Sequence, residues 1–408
     1  MGDSEPGNAG WRLLSVLVVA LALGCAALSA AAAVLQGGGS RAARAMSPCT
    51  AYVVNSFSDT VTPILTATNR TGHSIRAGAL PIAIAVTPDG SRALVLNEGS
   101  PGTVTPIMTA TNRAGRPIRV GGAPEGIVIT PDGRTAYVVI VSGMVVPIQI
   151  SSGQPEHPIR VGPRHGGGGP YWLAITPDGG TVYVADEAKR TVTPISTATG
   201  TAGRPIRVGR SPDALAVTPN GKTLYVVNAG SGTVTPIHTA TNTVGHKVRI
   251  GRGAYSLVVR PTGGSAYVIN RLAGTVTRIR TRDNRAGAPV KVGPGPALMA
   301  ITPDGKKAYV LHPDARGNRK LLRMVTPLRL GTTRAAKPVT ARQPVTVAAG
   351  PVAAAITPDG KTAYVASAQS GTVTPIRTAT NVAGKPIKVG MQPSAIAIAC
   401  REQASSSR

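Results

Sequence analysis

Seven side chains carry the groups through which this chain of 408 residues could do chemistry: Glu125, His165, Asp186, Glu187, Asp213, His312 and Asp314. Carboxylates that converge on one point hold a hard cation through oxygen. A carboxylate beside an imidazole can exchange a proton with a bound molecule. Neither arrangement has a signature here. No two of these residues have ligand spacing on one element, and no HExxH, GxSxG or CxxC string is present. The glycines at 166–169 are not a phosphate loop, because no lysine motif or helix follows them. The seven are therefore candidate binding residues, with no catalytic residue, metal or cofactor assigned.

What singles them out is a pattern they interrupt. The string ITPDGKKAYVLH (301–312) returns as ITPDGRTAYVV, ITPDGGTVYVA, VTPNGKTLYVVN and ITPDGKTAYVA. The residue before the tyrosine position marks eight copies, at Ala51, Ala93, Ala136, Val182, Leu224, Ala266, Ala308 and Ala363. Self-similarity at such a spacing is the mark of a repeat architecture. Each copy holds four short runs like AYVAS, TVTPI, PIKVG and AIAIA, rich in Val, Ile, Thr or Tyr and bounded by turn residues. No stretch after residue 36 sustains a helical period, so helices are not expected there. In TPDG, proline presets φ, aspartate bonds the nearby backbone and glycine accepts a positive φ, which makes a hairpin turn. Four strands in about 40–45 residues is one propeller blade. The expected fold is an all-β propeller of eight four-stranded blades over 49–400. Seven blades is the alternative, because HPDARGNRKLLRM (312–324) interrupts the seventh copy.

AYVVN (51–55), VTPDG (86–90) and TVTPIMTATN (103–112) resemble the YVTN family of β-propeller repeat proteins, and the resemblance covers about 350 of the 408 residues. It implies a propeller, often of seven blades in that family, and implies no function, since propellers host many. At the level of fold it extends to propeller lactonases and streptogramin lyases, which act at the channel mouth with a cation, histidine and carboxylates. The residues here that would serve such a site are Glu125, His165, Asp186, Asp213 and His312.

In a blade of this strand order, the loops after AYVVN and after PIxVG share one face. The TPDG turns and TATN loops share the other. Seven carboxylates map to the first face: Asp59, Glu98, Glu125, Asp186, Glu187, Asp213 and Asp314. That face also carries the longest loop, GPRHGGGGPYW (162–172), with His165. Each of these side chains reads equally as a solvated loop residue. His73, His157, His238 and His246 read as surface residues of the opposite face. Seven of the nine tyrosines (Tyr52, Tyr137, Tyr183, Tyr225, Tyr267, Tyr309 and Tyr364) share one repeat position, which points to packing between blades rather than to a ligand platform. The proline of TVTPI recurs in seven copies, with Arg278 in the sixth. Proline cannot donate to a ladder, so this strand is expected to be bulged or to have a short neighbour on its N–H side.

The first copy lacks its TPDG turn and the strand before it, while the last copy ends on that strand, AIAIA (395–399). The C-terminal strand should therefore close the ring against residues 51–55. Aligned to TPDGKT, Cys400 falls on the proline position and Cys49 on the position before threonine. A disulfide between them would replace the missing turn and would contribute, as an upper bound, roughly 5–6 kcal/mol by loop-closure entropy. Such a bond implies an oxidising compartment.

The segment 13–35 carries no charge and is long enough to span a bilayer. It follows a polar tail (1–12) and precedes a flexible linker (36–48). It reads as a signal peptide or an uncleaved anchor. Cys25 lies within it, in a poor lipobox. The remaining tail is 401–408. Export is expected, with the propeller outside the cytoplasm. The net charge is +27, which favours anionic polymers. With aromatics at 3% there are few stacking platforms, so any nucleic-acid binding would be non-specific and salt-sensitive. The expected function is a non-enzymatic scaffold for an anionic cell-envelope polymer or a protein partner. A channel-mouth enzyme and a non-specific DNA binder are the alternatives. A closed ring buries its own strands, so a monomer is expected.

Overall fold

The computed structural model describes residues 49–162, 170–313, 323–331 and 340–401. They form an eight-bladed β-propeller. Each blade is an antiparallel sheet, and the eight sheets are separate. Blade 2 shows the plan: an innermost strand Pro81–Val86, then Arg92–Asn97, then Thr103–Met108, then an outermost strand in two short pieces, Arg113–Ala114 and Ile118–Arg119. Innermost strands of neighbouring blades lie against one another around the channel. The interruption at 312–324 does not remove a blade. Met324–Arg329 still pairs with Lys307–Leu311.

The split outermost strand has a physical reason. In blade 2, Pro106 pairs through Leu94 on one side and turns its other edge outward, where Gly115 N donates to Pro106 O at 2.7 Å. A strand residue presents N–H and C=O to the same side, so the donor that proline lacks is missing from the outer ladder. The outer strand breaks there, but it also breaks in blade 6, where Arg278 replaces the proline and Gly287 N donates to its carbonyl at 2.7 Å, so proline suits the break and is not its sole cause. The same bond, from Gly72, Gly203, Gly245 and Gly384 to the matching prolines, recurs at 2.7–2.8 Å. This is the short neighbour expected from TVTPI. The fourth run is correspondingly shorter than PIKVG suggested: only Ile387–Lys388 of it is strand in blade 8.

The second strands form the core. Ala51, Tyr52, Val53 and Val54 are each 0% exposed, because both faces of a blade are covered by neighbours. The repeated tyrosines do pack between blades, and they also bond there. Tyr52 Oη donates to Asn112 Oδ1 of the next blade at 2.6 Å. Tyr183–Asn242, Tyr225–Asn284, Tyr309–Asn381 and Tyr364–Asn69 repeat the contact at 2.5–2.8 Å. Each of these asparagines sits at φ between 53° and 59°, a conformation in which asparagine is the best tolerated residue after glycine. Where a blade has glycine instead, at Gly153 or Gly200, no such partner exists, and the blade before Gly153 carries Leu94 in place of tyrosine.

The ring closes as the missing strand required. Pro393–Ala399 pairs antiparallel with Thr50–Asn55 and supplies the innermost strand of blade 1. Cys49 and Cys400 form a disulfide across a Cα–Cα distance of 4.3 Å. Residues 1–48, with the predicted leader or anchor and Cys25, lie outside the described residues. Among the described residues no helix is long and apolar enough to cross a membrane. A short 3-10 turn spans Ala229–Ser231.

Candidate functional site at the channel mouth

Two of the candidate residues, Glu125 and Asp213, stand near the start of an innermost strand. In seven blades the pairing of that strand slips by one residue near its start. The extra residue is Ile82, Glu125, Tyr171, Asp213, Tyr255, Val352 or Ser394. A bulge leaves that residue outside the ladder and re-aims its side chain, a device common at barrel rims. Two candidates, Glu125 and Asp213, are thus one structural position in blades 3 and 5. Tyr255 holds the same position in blade 6, with the Arg271 guanidinium 5.3 Å from its ring centroid. Sequence reading missed Tyr255 and Arg271. The bulge that defines their position has no local signature, but AYSLV aligned with PDALA would have placed them together.

Asp213 is largely buried, and burial lifts its carboxyl to about 7, with the nearby charge of Glu187 adding to the rise. The two residues come from different blades, the innermost strand of blade 5 and the loop of blade 4, so the fold joins them. A carboxylic acid that titrates near neutrality can give or take a proton at working pH. Glu125 is buried, 4% exposed.

Asp186 and His312 turn out to share a position. Both stand where the repeat has the asparagine of AYVVN. In blades 1, 2 and 5 that asparagine donates to two threonine hydroxyls of the adjacent strand: Asn55 to Thr60 and Thr62, Asn97 to Thr103 and Thr105, Asn228 to Thr233 and Thr235, all at 2.9–3.2 Å. His312 keeps half of this clasp. Its Nε2 bonds Thr326 Oγ1 and its Nδ1 bonds Pro294 O, each at 2.9 Å. Burial pushes the imidazole pKa down.

Asp186 cannot reproduce it, because a carboxylate has no N–H. Its Oδ1 accepts from Lys189 N at 2.9 Å. Its Oδ2 is buried without a partner, and so are the hydroxyls of Thr191 and Thr193, the two threonines of that blade. Three oxygens on one face of a sheet can ligate a hard cation. Among the described residues, however, no group of three His, Cys, Asp or Glu could hold a metal. His165 and Asp314 lie outside the described residues. The other four histidines are exposed, as expected.

A second feature of the same face lies at the rim. The inner piece of each outermost strand ends on Arg76, Arg119, Arg160, Arg207, Arg249, Lys291, Thr346 or Lys388. Seven of the eight are cations, and all seven are exposed. None makes an ion pair among the described residues. An open cleft of about 490 Å³ lies on the rim where blade 7 meets blade 8, lined in part by Arg342 and Asn381.

Neither the family models nor the curated proteins give a match. Solved structures do. Dihydro-heme d1 dehydrogenase NirN, solved in complex with DHE, is 15% identical, with a TM-score of 0.69 over 89% of this chain and 78% of its own. A putative 6-phosphogluconolactonase from Bacteroides fragilis is 18% identical, with a TM-score of 0.57 over 86% and 98%. Hydrazine synthase from Kuenenia stuttgartiensis is 25% identical, with a TM-score of 0.57 over 73% and 96%. At identities so low the first two show the propeller fold alone, and all three, taken together, place this chain among β-propellers of unlike function.

Proposed function

We propose that this chain is a YVTN-type propeller, exported from the cytoplasm and acting without catalysis as a scaffold for an anionic polymer of the cell envelope. The belt of seven exposed cations, without ion pairs among the described residues, carries the reading. It follows the rim at one register, so a polyanion could lie along several blades at once. Lys and Arg on an edge strand also discourage edge-to-edge pairing, but that role needs no common register and no common face. The disulfide suits an oxidising compartment. The N-terminal apolar segment would supply export, whether or not it is then cleaved.

The test is titration of residues 46–408 with a poly(glycerol phosphate) at two salt concentrations. A polymer engaging three or four belt cations should give a slope of log K against log salt of roughly −3. Replacing Arg76, Arg119, Arg160 and Arg207 by Gln should weaken binding at least tenfold. Binding that is insensitive to salt, or unchanged in that variant, would remove the belt from the account. Equal affinity for duplex DNA would favour the nucleic-acid alternative.

A second reading rests on Asp213. A carboxyl near neutrality beside Glu187 at a channel mouth suits general acid–base chemistry on a small molecule, of the kind lactonases and lyases perform. It requires a rate that disappears in Asp213→Asn with the fold intact.

A further inference from the structure

Blade 6 breaks the repeat at three places, and the three meet. Arg260 replaces the threonine that opens the TPDG turn, Arg278 replaces the proline of TVTPI, and Ser265 replaces the threonine that begins AYVVN. Arg278 lies directly across the ladder from Tyr267. Arg260 N donates to Ser265 O at 2.9 Å, which holds the start of the turn beside the same strand. Arg278 Nε donates to Ser265 Oγ at 2.7 Å. Arg260 Nη1 reaches blade 7 and donates to Gly331 O at 3.0 Å.

These bonds leave donors over. Arg260 Nε, Arg278 Nη2 and Tyr267 Oη are all buried; the two arginine nitrogens have no hydrogen-bond partner among the described residues, and the phenol has no well-formed bond there although the Ser265 hydroxyl stands near it. Tyr267 is 0% exposed and Arg260 is 5% exposed. The positive charge of both guanidiniums acts on the Tyr267 hydroxyl. Burial pushes that phenol's pKa up, and the two arginines oppose the rise, with the nearby Ser265 hydroxyl a lesser contributor. No carboxylate among the described residues forms an ion pair with either arginine. The compensation that Arg260 does feel comes from Asp304 in the turn of blade 7. Burial there opposes the hydrogen bonds and charges, Arg260 among them, that leave its pKa lowered, and its Oδ1 already accepts from the Thr302 hydroxyl and Lys306 N.

A buried Arg260 guanidinium and a buried Arg278 Nη2 without a bonded carboxylate are costly, and the cost falls when an anion fills the unmet N–H positions. Arginine forks match tetrahedral oxyanions by two parallel bonds. We propose that Arg260, Arg278 and Tyr267 form a buried site for one small oxyanion of the phosphate or sulfate type, on the side of blade 6 that carries the TPDG turns. Its burial selects a free ion over a polymer. The site is independent of the rim belt, which lies toward the opposite face.

The test is calorimetric titration of inorganic phosphate and of sulfate into the folded protein at constant ionic strength set with chloride. The expected result is one ion per chain, with Arg278→Pro and Arg260→Thr each weakening binding at least tenfold. Both variants restore the residue that other blades carry, so both should fold. Circular dichroism and the thermal transition check this. A thermal shift with millimolar phosphate should appear in the wild type and be absent from both variants. Phosphate and sulfate binding no better than chloride would overturn the proposal. So would binding that survives in either folded variant. Failure of the wild type to bind the polymer, with phosphate binding retained, would refute the belt and leave this site standing.

Discussion

Asp186→Asn should make the protein more stable. In blades 1, 2 and 5 the asparagine at this position donates to two threonine hydroxyls at 2.9–3.2 Å. In blade 4 the same two hydroxyls, on Thr191 and Thr193, and the outer carboxylate oxygen of Asp186 are buried without partners. The substitution adds two bonds worth about 1 kcal/mol each and removes a buried unpaired acceptor that costs about 1–3 kcal/mol. The expected gain is about 3–5 kcal/mol. With an unfolding entropy of about 2.1 cal/mol/K per residue over roughly 350 residues, that is a rise in Tm of about 4–7 °C. Asp186→Ala, which also loses the bond from Lys189 N, should fall below the wild type. The assay is calorimetry of the three proteins in one buffer. A Tm for Asp186→Asn equal to or below that of the wild type would refute the reasoning. It would mean that something satisfies the carboxylate where it stands, a bound cation first among the candidates.

Three further outcomes follow from the geometry. Asn381→Ala removes the partner of Tyr309 and puts at a φ of 59° a residue that tolerates it less well than asparagine, so it should cost about 2–3 kcal/mol, and Asn381→Gly about 1 kcal/mol, in denaturant unfolding. Asp213 has a folded pKa of about 7 against an ordinary 3.8, so the folded state holds the extra proton and stability falls as pH rises from 4 to 7. Asp213→Asn should therefore flatten the dependence, with a gain growing toward a ceiling of about 4 kcal/mol above pH 7, read as Tm against pH. Reduction of Cys49–Cys400, which closes a loop of 351 residues, should lower stability by about 2–5 kcal/mol. The strand pairing of Thr50–Asn55 with Pro393–Ala399 should survive, checked by hydrogen exchange at Val53 and Ile396.

The repeats announced the propeller because a blade is built from information that is local in the chain. Alternating Val, Ile and Tyr fix the strands, TPDG fixes the turn, and proline in TVTPI suits a broken outer ladder. The missing first strand and the positions of Cys49 and Cys400 even fixed how the ring closes. None of this needs knowledge of what lies across a blade boundary. The chemistry does need it. Asp186 and Glu187 read as one loop pair, yet Asp186 ends a strand and is buried, while Glu187 acts on Asp213 from another blade. His312 reads as a candidate acid–base group and is placed in an asparagine's clasp. Arg278 was visible as the missing proline, but only packing brings it to Arg260 and Tyr267. Sequence periodicity determines which residues are equivalent. Burial, desolvation and contact between blades depend on residues far apart in the chain, and these decide which equivalent residue has been given a different task.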